Sequence, residues 1–324
     1  MSENLGQTQD THSRGRNAWH PRNIDFKGWR DIALRVKTEV VKDNIGLIAA
    51  GVAFYFLLAI FPMLAAFLSI YGLVFDPAEA REQVTALSGV LPGDARSLLT
   101  QQTEQLASGS KSALGFGALI GILVALWSAR KGTTAMTIAL NIAYKEEDNR
   151  SFLRQIVLTF SLTLGLIIFF ILSLAIVAAA PVMLQLLGLG AIAEIALDIL
   201  RWPILGLIAV LALSIMYRFG PDRHAAKWRW LTPGAVLAVI VWLITSGLFS
   251  WYVSSFGNYN ETYGSVGAVV ILLFWFYLTA YIFLLGAELN AEMEHQTRRD
   301  TTVGEDQRMG ERDAFVADDL GKKP

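Results

Sequence analysis

The chain has no cysteine among its 324 residues, so disulfide frameworks, thiolate nucleophiles and Cys-type zinc or iron–sulfur sites are excluded together. Histidine is scarce as well: His12, His20, His224 and His295 stand far apart, and no pair has metal-ligand spacing. No glycine-rich phosphate loop, G-x-S-x-G or H-E-x-x-H occurs. A metal-dependent nuclease wants clustered carboxylates, and the acidic groupings here are Glu146-Glu147-Asp148 and the C-terminal tail, both read as mobile segments. These gaps argue against an enzyme, and no cofactor is expected. Charged residues make up only 17% of the chain, with a net charge of −1 and no basic block, so nucleic acid is not an expected partner. The N-terminal stretch, residues 1–44, is polar, which leaves no visible cleavable signal peptide and makes the first apolar run its own insertion signal.

What is abundant is apolar sequence, at 54% hydrophobic residues and a mean hydropathy of +0.44. From Gly264 to Ala287 no charge appears, and as a helix that stretch covers about 36 Å, enough to cross a hydrocarbon core of about 30 Å. Similar runs predict spans at about 45–75, 113–129, 152–180, 202–218, 231–255 and 264–290. Pro62 predicts a kink in the first, and Gly117 and Gly121 form G-x-x-x-G in the second. Arg130-Lys131 is read as the end of the second span, with Thr133, Thr137 and Asn141 as a polar stripe on a surface-parallel or re-entrant helix. Pro181 is taken to stop the third span, and Glu194, Asp198 and Arg201 suit an interfacial hairpin before Trp202-Pro203 opens the fourth. Residues 24–43 read as a basic amphipathic helix, either lying on the membrane surface or packed on the bundle as a short cytosolic helix, and in the acidic loop 76–112 Asp94 reads as an N-cap.

Lys and Arg number eight in residues 1–44, three in 76–112, five in 130–154, one in 181–201, four in 218–230 and none in 256–263. That alternation places both termini and the 130–154 and 218–230 loops in the cytoplasm. The expected fold is therefore all-α and polytopic, six transmembrane helices with short interfacial amphipathic helices, N-in and C-in. Residues 1–23 and 296–324 are expected as disordered cytoplasmic tails around a membrane domain of residues 24–295.

The candidate functional residues are polar groups near the membrane. Glu288 and Asn290 stand where the last span leaves the apolar zone, and Glu288 needs a partner, for which Arg130, Lys131 or Arg218 are on the same expected side. Glu288 reads either as a gate or proton-coupled carboxylate or as a structural ion pair, and Glu288→Gln is expected to disturb stability or activity more than Glu292→Gln. Asn141 and Tyr55 are further polar candidates in or beside spans. Tyr263, with Tyr259, Asn260 and Glu261, reads either as an outer entrance or as a tight turn.

The series Tyr217, Pro221, Trp228, Pro233-Gly234, Trp242, Tyr252, Tyr259, Tyr263-Gly264-Ser265, Trp275, Tyr277 and Gly286-Ala287-Glu288-Leu289-Asn290 resembles the YihY/virulence factor BrkB family of bacterial inner-membrane proteins. Tyr55, Phe61-Pro62, Trp127, Asn141 and Tyr144 fit it too. The resemblance implies a six-span inner-membrane protein of the cell envelope, associated with transport or export and with envelope integrity or serum resistance. It brings no catalytic residues, and the family's older name, ribonuclease BN, finds no catalytic support in this sequence. The expected partners are membrane lipids and an amphiphilic envelope substrate, with a homo-oligomer left open. A non-transporting scaffold is the rival reading.

Overall fold

Eight α-helices carry the structure, a computed structural model that describes residues 14–74, 111–187, 191–255 and 259–322. They are α1 (Phe26–Lys42), α2 (Ile45–Val74), α3 (Lys111–Ala143), α4 (Phe152–Leu187), α5 (Ala191–Phe219), α6 (Trp228–Ser255), α7 (Tyr259–Glu294) and the single turn α8 (Phe315–Asp318). Among the described residues no strand forms, and Ala226 and Thr302 make an isolated antiparallel bridge. Asp25 caps α1 by accepting from the Gly28 amide at 3.0 Å. The chain then turns 63° into α2 at Asp43-Asn44, where Asn44 takes φ 51°, a left-handed value asparagine tolerates.

Among the described residues four helices are long and apolar enough to cross a membrane: Phe152–Ser173 in α4, Ile199–Phe219 in α5, Trp228–Ser254 in α6 and Val266–Glu294 in α7. The bent pair α1–α2 qualifies as a fifth if taken as one span. Exposed apolar side chains such as Leu47, Phe170, Leu207 and Trp251 are what a hydrocarbon solvent allows and water does not. At the centre α7 packs against α2 and α6, and α2 against α3. Both described ends of the chain meet at one pole of this bundle. There the Gln296 amide donates to the Arg14 carbonyl at 2.7 Å and Arg35 to the Lys322 carbonyl at 3.4 Å. We call this the polar end.

Several sequence expectations are corrected. Arg130-Lys131 does not end a helix. The helix α3 runs unbroken to Ala143, so the Thr133/Thr137/Asn141 stripe belongs to the same rod. Gly132 there marks a close approach to Phe56, whose ring a Cβ would meet at 2.8 Å, rather than a break. Pro181 lies inside α4 and does not end that helix, while α5 begins at Ala191 ahead of Pro203, and the apolar stretch Ile199–Phe219 within it agrees with the span expected at about 202–218. Neighbouring helices can re-satisfy the groups a proline frees in a span. Thus α4 and α5 extend into the stretch expected as an interfacial hairpin, although the side chains of Glu194 and Asp198 lie outside the described ones. Asp94 lies outside the described residues altogether.

The tails are also corrected. Residues 14–23 and 296–322 are folded onto the polar end, with Arg16, Ala18, Gln296, Thr301, Arg312 and Val316 buried. Composition pointed to disorder because these segments have no core of their own. They borrow one: Ala18 and Ile24 pack with Ile32, Trp230 and Met293.

Backbone meets backbone where α6 crosses α7. A Cβ on Gly234 would lie 2.2 Å from the Gly286 carbonyl and 2.4 Å from Asn290 Oδ1, and one on Gly286 would lie 2.5 Å from the Tyr217 hydroxyl. Only glycine fits such backbone contact. Gly234→Ala is therefore expected to lower stability by about 1–3 kcal/mol, as overpacking does. Gly247→Ala, with open space around its Cβ, should leave it unchanged. Thermal unfolding of the detergent-solubilised variants checks this.

Candidate functional site

The last two turns of α7 carry four buried polar side chains, Glu288, Asn290, Glu292 and Glu294, at 0–1% exposure. Three of them are fully engaged. Arg35 of α1 donates from Nε to Glu292 Oε2 and from Nη2 to the Glu292 carbonyl at 3.1 Å, while His295 Nδ1 lies 3.1 Å from Oε1. Arg223 grips Glu294 with two bonds, Nη1 to Oε1 at 3.0 Å and Nη2 to Oε2 at 2.8 Å, and its guanidinium lies over the Tyr144 ring at 5.2 Å. The Thr301 hydroxyl donates to the same carboxylate. Asn290 accepts from the Gly234 amide and donates to the Leu231 carbonyl, both at 2.9 Å, and so stitches α7 to the Pro233-interrupted first turns of α6.

Glu288 is different. Its side chain is 0% exposed, yet among the described residues neither carboxylate oxygen has a hydrogen-bond partner. The charges acting on it are Asp43 from the α1–α2 turn, Glu292 from α7 and Glu39 from α1, three acids against the single base Lys145. Lys145 itself is bound to Glu39 at 2.7 Å. Asp43 shares the predicament: its Oδ2 is buried without a partner, and burial with Glu39 beside it pushes its carboxyl above the usual range.

The cations expected to pair with Glu288 go elsewhere. Arg130 stacks on Trp127 at 4.6 Å and Phe160 at 5.6 Å and reaches the Thr159 hydroxyl at 3.4 Å, Lys131 is exposed, and Arg218 lies over Trp228 at 4.7 Å. Asn141 accepts from the Asp222 amide at 2.7 Å and anchors the 220–226 loop. Tyr55 is 40% exposed and meets the Phe54 ring edge to face. The side chains of Tyr259, Asn260, Glu261 and Tyr263 lie outside the described ones. Among the described residues no group of three or more His, Asp or Glu side chains is arranged to hold a metal ion. Higher in the bundle, a groove of about 570 Å³ between α6 and α7 is lined by Thr245, Leu248, Phe249, Tyr252, Val270 and Phe274.

A family model described as Virulence factor BrkB matches residues 36–310, a stretch that contains every residue of this polar end except Arg35 and the tail contacts. The chain belongs to the Virulence factor BrkB family. Among similar proteins, YfkH of Bacillus subtilis (strain 168), whose name describes it as ribonuclease-like, is 33% identical over 75% of this chain and 88% of its own length. The UPF0761 membrane protein IL2447 of Idiomarina loihiensis is 26% identical over 68% of this chain and 75% of that protein. A UPF0761 membrane protein of Chlorobium luteolum is 27% identical over 76% of this chain, which spans 56% of the longer relative. No solved structure matches the chain.

Within this BrkB-family chain the G-A-E-L-N motif divides by role. Gly286 permits the crossing, Ala287 is buried against it and Asn290 clamps it, while Glu288 takes no part in that packing. Sequence reasoning missed the partners of Glu292 and Glu294. Arg35 and Arg223 are distant in the chain, and the only local sign was the spacing of Glu288 and Glu292, four residues apart on one helix face.

The polar end also holds a pH-sensitive joint. Glu146 Oε1 accepts from the Phe315 amide at 2.8 Å, docking α8, with Arg223 4.0 Å away. Burial raises its carboxyl from the ordinary 4.5 to about 7 despite that bond and the arginine. A folded-state value above the unfolded one favours folding below about pH 4.5, and the advantage is lost as pH rises through about 7. Stability is therefore expected to fall from pH 5 to pH 7.5 more steeply in the wild type than in Glu146→Gln. Thermal unfolding across that range measures the difference between the two slopes.

Proposed function

We propose that the chain is a six-span carrier of the bacterial inner membrane, both termini cytoplasmic, that moves or presents an amphiphilic envelope substrate and uses Glu288 as its protonatable coupling residue. On this reading α2 to α7 each cross the bilayer and the polar end faces the cytoplasm, as the clustering of Lys and Arg on alternate connections implies. The observation that carries the proposal is the isolation of Glu288. A buried carboxylate without a partner is unfavourable for folding, and such groups inside membrane proteins mark ion and substrate pathways. A proton on Glu288 would relieve the repulsion from Asp43, Glu39 and Glu292, and release of that proton would restore it. That is the kind of two-state bias a carrier needs. The groove between α6 and α7, about 21 Å along α7 from Glu288 when counted from Phe274, offers apolar walls to an acyl chain.

The geometry revises the expected effect of the two glutamine variants. Glu292→Gln breaks a buried ion pair with Arg35 and should lose about 3 kcal/mol of stability. Glu288→Gln removes an unpartnered charge and should leave stability equal or higher while abolishing function, the separation expected of a residue kept for activity. The measurement combines thermal unfolding with flux of a fluorescent phosphatidylglycerol in proteoliposomes under an imposed pH gradient. Loss of stability in Glu288→Gln comparable to that in Glu292→Gln would assign Glu288 a structural role. Gradient-insensitive flux in the wild type would remove the coupling proposal, and no flux at all would favour a scaffold.

A further inference from the structure

The pair Arg130-Lys131 stands in the middle of α3, where the continuous helix leaves it 12 to 13 residues from Ala143. At 1.5 Å per residue that is about 20 Å above the foot of the helix. The neighbouring rod fixes its depth independently. Thr133 and Thr163 are joined at 2.8 Å, so Thr133 is level with a residue about 16 Å into the candidate span that starts at Phe152. Arg130 is rooted almost a turn deeper still. Yet its guanidinium reaches back to Thr159, one turn nearer the polar end than Thr163. An arginine that bends toward the near surface is snorkelling, drawing its charge toward the headgroup layer along a buried stem.

The charge is not neutralised on arrival. Its polar contact is the 3.4 Å bond from Nη1 to Thr159, and Nε is buried without a partner. Trp127 and Phe160 bracket the guanidinium and hold it in place without cancelling its charge. Among the described residues neither Arg130 nor Lys131 enters an ion pair, and Lys131 is exposed beside it. The surface around them is apolar and open: Val124, Trp127 and Ile138 on α3 and Val157 and Leu164 on α4 are all about half exposed or more. An occupant must therefore be apolar along its body and anionic at one end.

We infer that Arg130 and Lys131 form a binding site for the phosphate of an anionic phospholipid, seated in the cleft between α3 and α4 with its acyl chains along Val124 and Leu164. Basic pockets between spans are a recognised setting for such headgroups, and the aromatic bracket presents the planar guanidinium ready for two-point contact with phosphate oxygens. This site is separate from Glu288, and its existence does not depend on transport.

Lipid retention on the purified protein tests it, read by native mass spectrometry with phosphatidylglycerol and phosphatidylcholine supplied separately. The wild type is expected to retain phosphatidylglycerol over phosphatidylcholine. The double variant Arg130→Gln/Lys131→Gln should lose about thirtyfold in affinity for the anionic lipid only. The charge-keeping exchange Arg130→Lys/Lys131→Arg should retain most of the preference. Lys131 has no partner whose loss could unfold the chain, so Lys131→Gln alone should still weaken phosphatidylglycerol by several-fold. Equal retention of the two lipids by the wild type, undiminished phosphatidylglycerol binding by the glutamine variants, or displacement of the lipid by millimolar glycerol 3-phosphate would each overturn the inference.

Discussion

Two buried arginines hold the polar end together. Arg35 reaches Glu292 from α1 and Arg223 reaches Glu294 from the α5–α6 connection, so the foot of α7 is tied to elements that enter from opposite directions in the sequence. Each pair sits where desolvation is severe, and each is rescued by further contacts: Gln296 accepts from Arg35 and His295 lies beside Glu292, while Thr301 donates to Glu294 and the Tyr144 ring lies against Arg223. The terminal segments then dock on this frame. Thr297 donates to the Ala18 carbonyl at 2.9 Å, and Asp300 collects the Thr302 and Gln307 amides at 2.8 Å each. A burial that would be costly for one charge becomes a specific clasp when it is shared across the chain.

Glu288 stands one turn above that clasp and is left out of it. The helix repeat puts it on the same face as Glu292, against α1 and the turn that begins α2, where it faces Asp43 and Glu39 with Lys145 as the base beside them. Next to two carboxylates held by arginines, one with no hydrogen-bond partner among the described residues is the exception to the pattern of this end of the molecule. The same contrast appears on α3. Among the described residues Arg130 and Lys131 form no ion pair, and neither do Glu288 and Asp43, and the fold keeps the two sets on different elements instead of letting them neutralise each other.

Much of this was legible in the sequence. The apolar runs located the long helices because hydrocarbon-facing segments announce themselves by composition alone. Glu288 could be singled out as a carboxylate at the edge of an apolar run. Its isolation could not, since that depends on where Arg35, Arg130 and Arg218 point, and side-chain direction across helices is a tertiary fact. The misreadings share a cause. Arg130-Lys131 and Pro181 were taken as stops because charge and proline break helices in water, whereas a long basic side chain can snorkel and a packed neighbour can absorb a proline. The tails were read as disordered because their composition cannot build a core, yet they complete one that α1, α6 and α7 supply.

The central claim is that Glu288 is a free carboxyl group poised to take and release a proton, while Glu292 and Glu294 are permanently committed ion-pair members. Infrared difference spectroscopy of the reconstituted protein during an acid pulse addresses it directly. The account predicts a protonated-carboxyl band that appears reversibly in the wild type and is absent in Glu288→Gln. A band of unchanged intensity in that variant would contradict it.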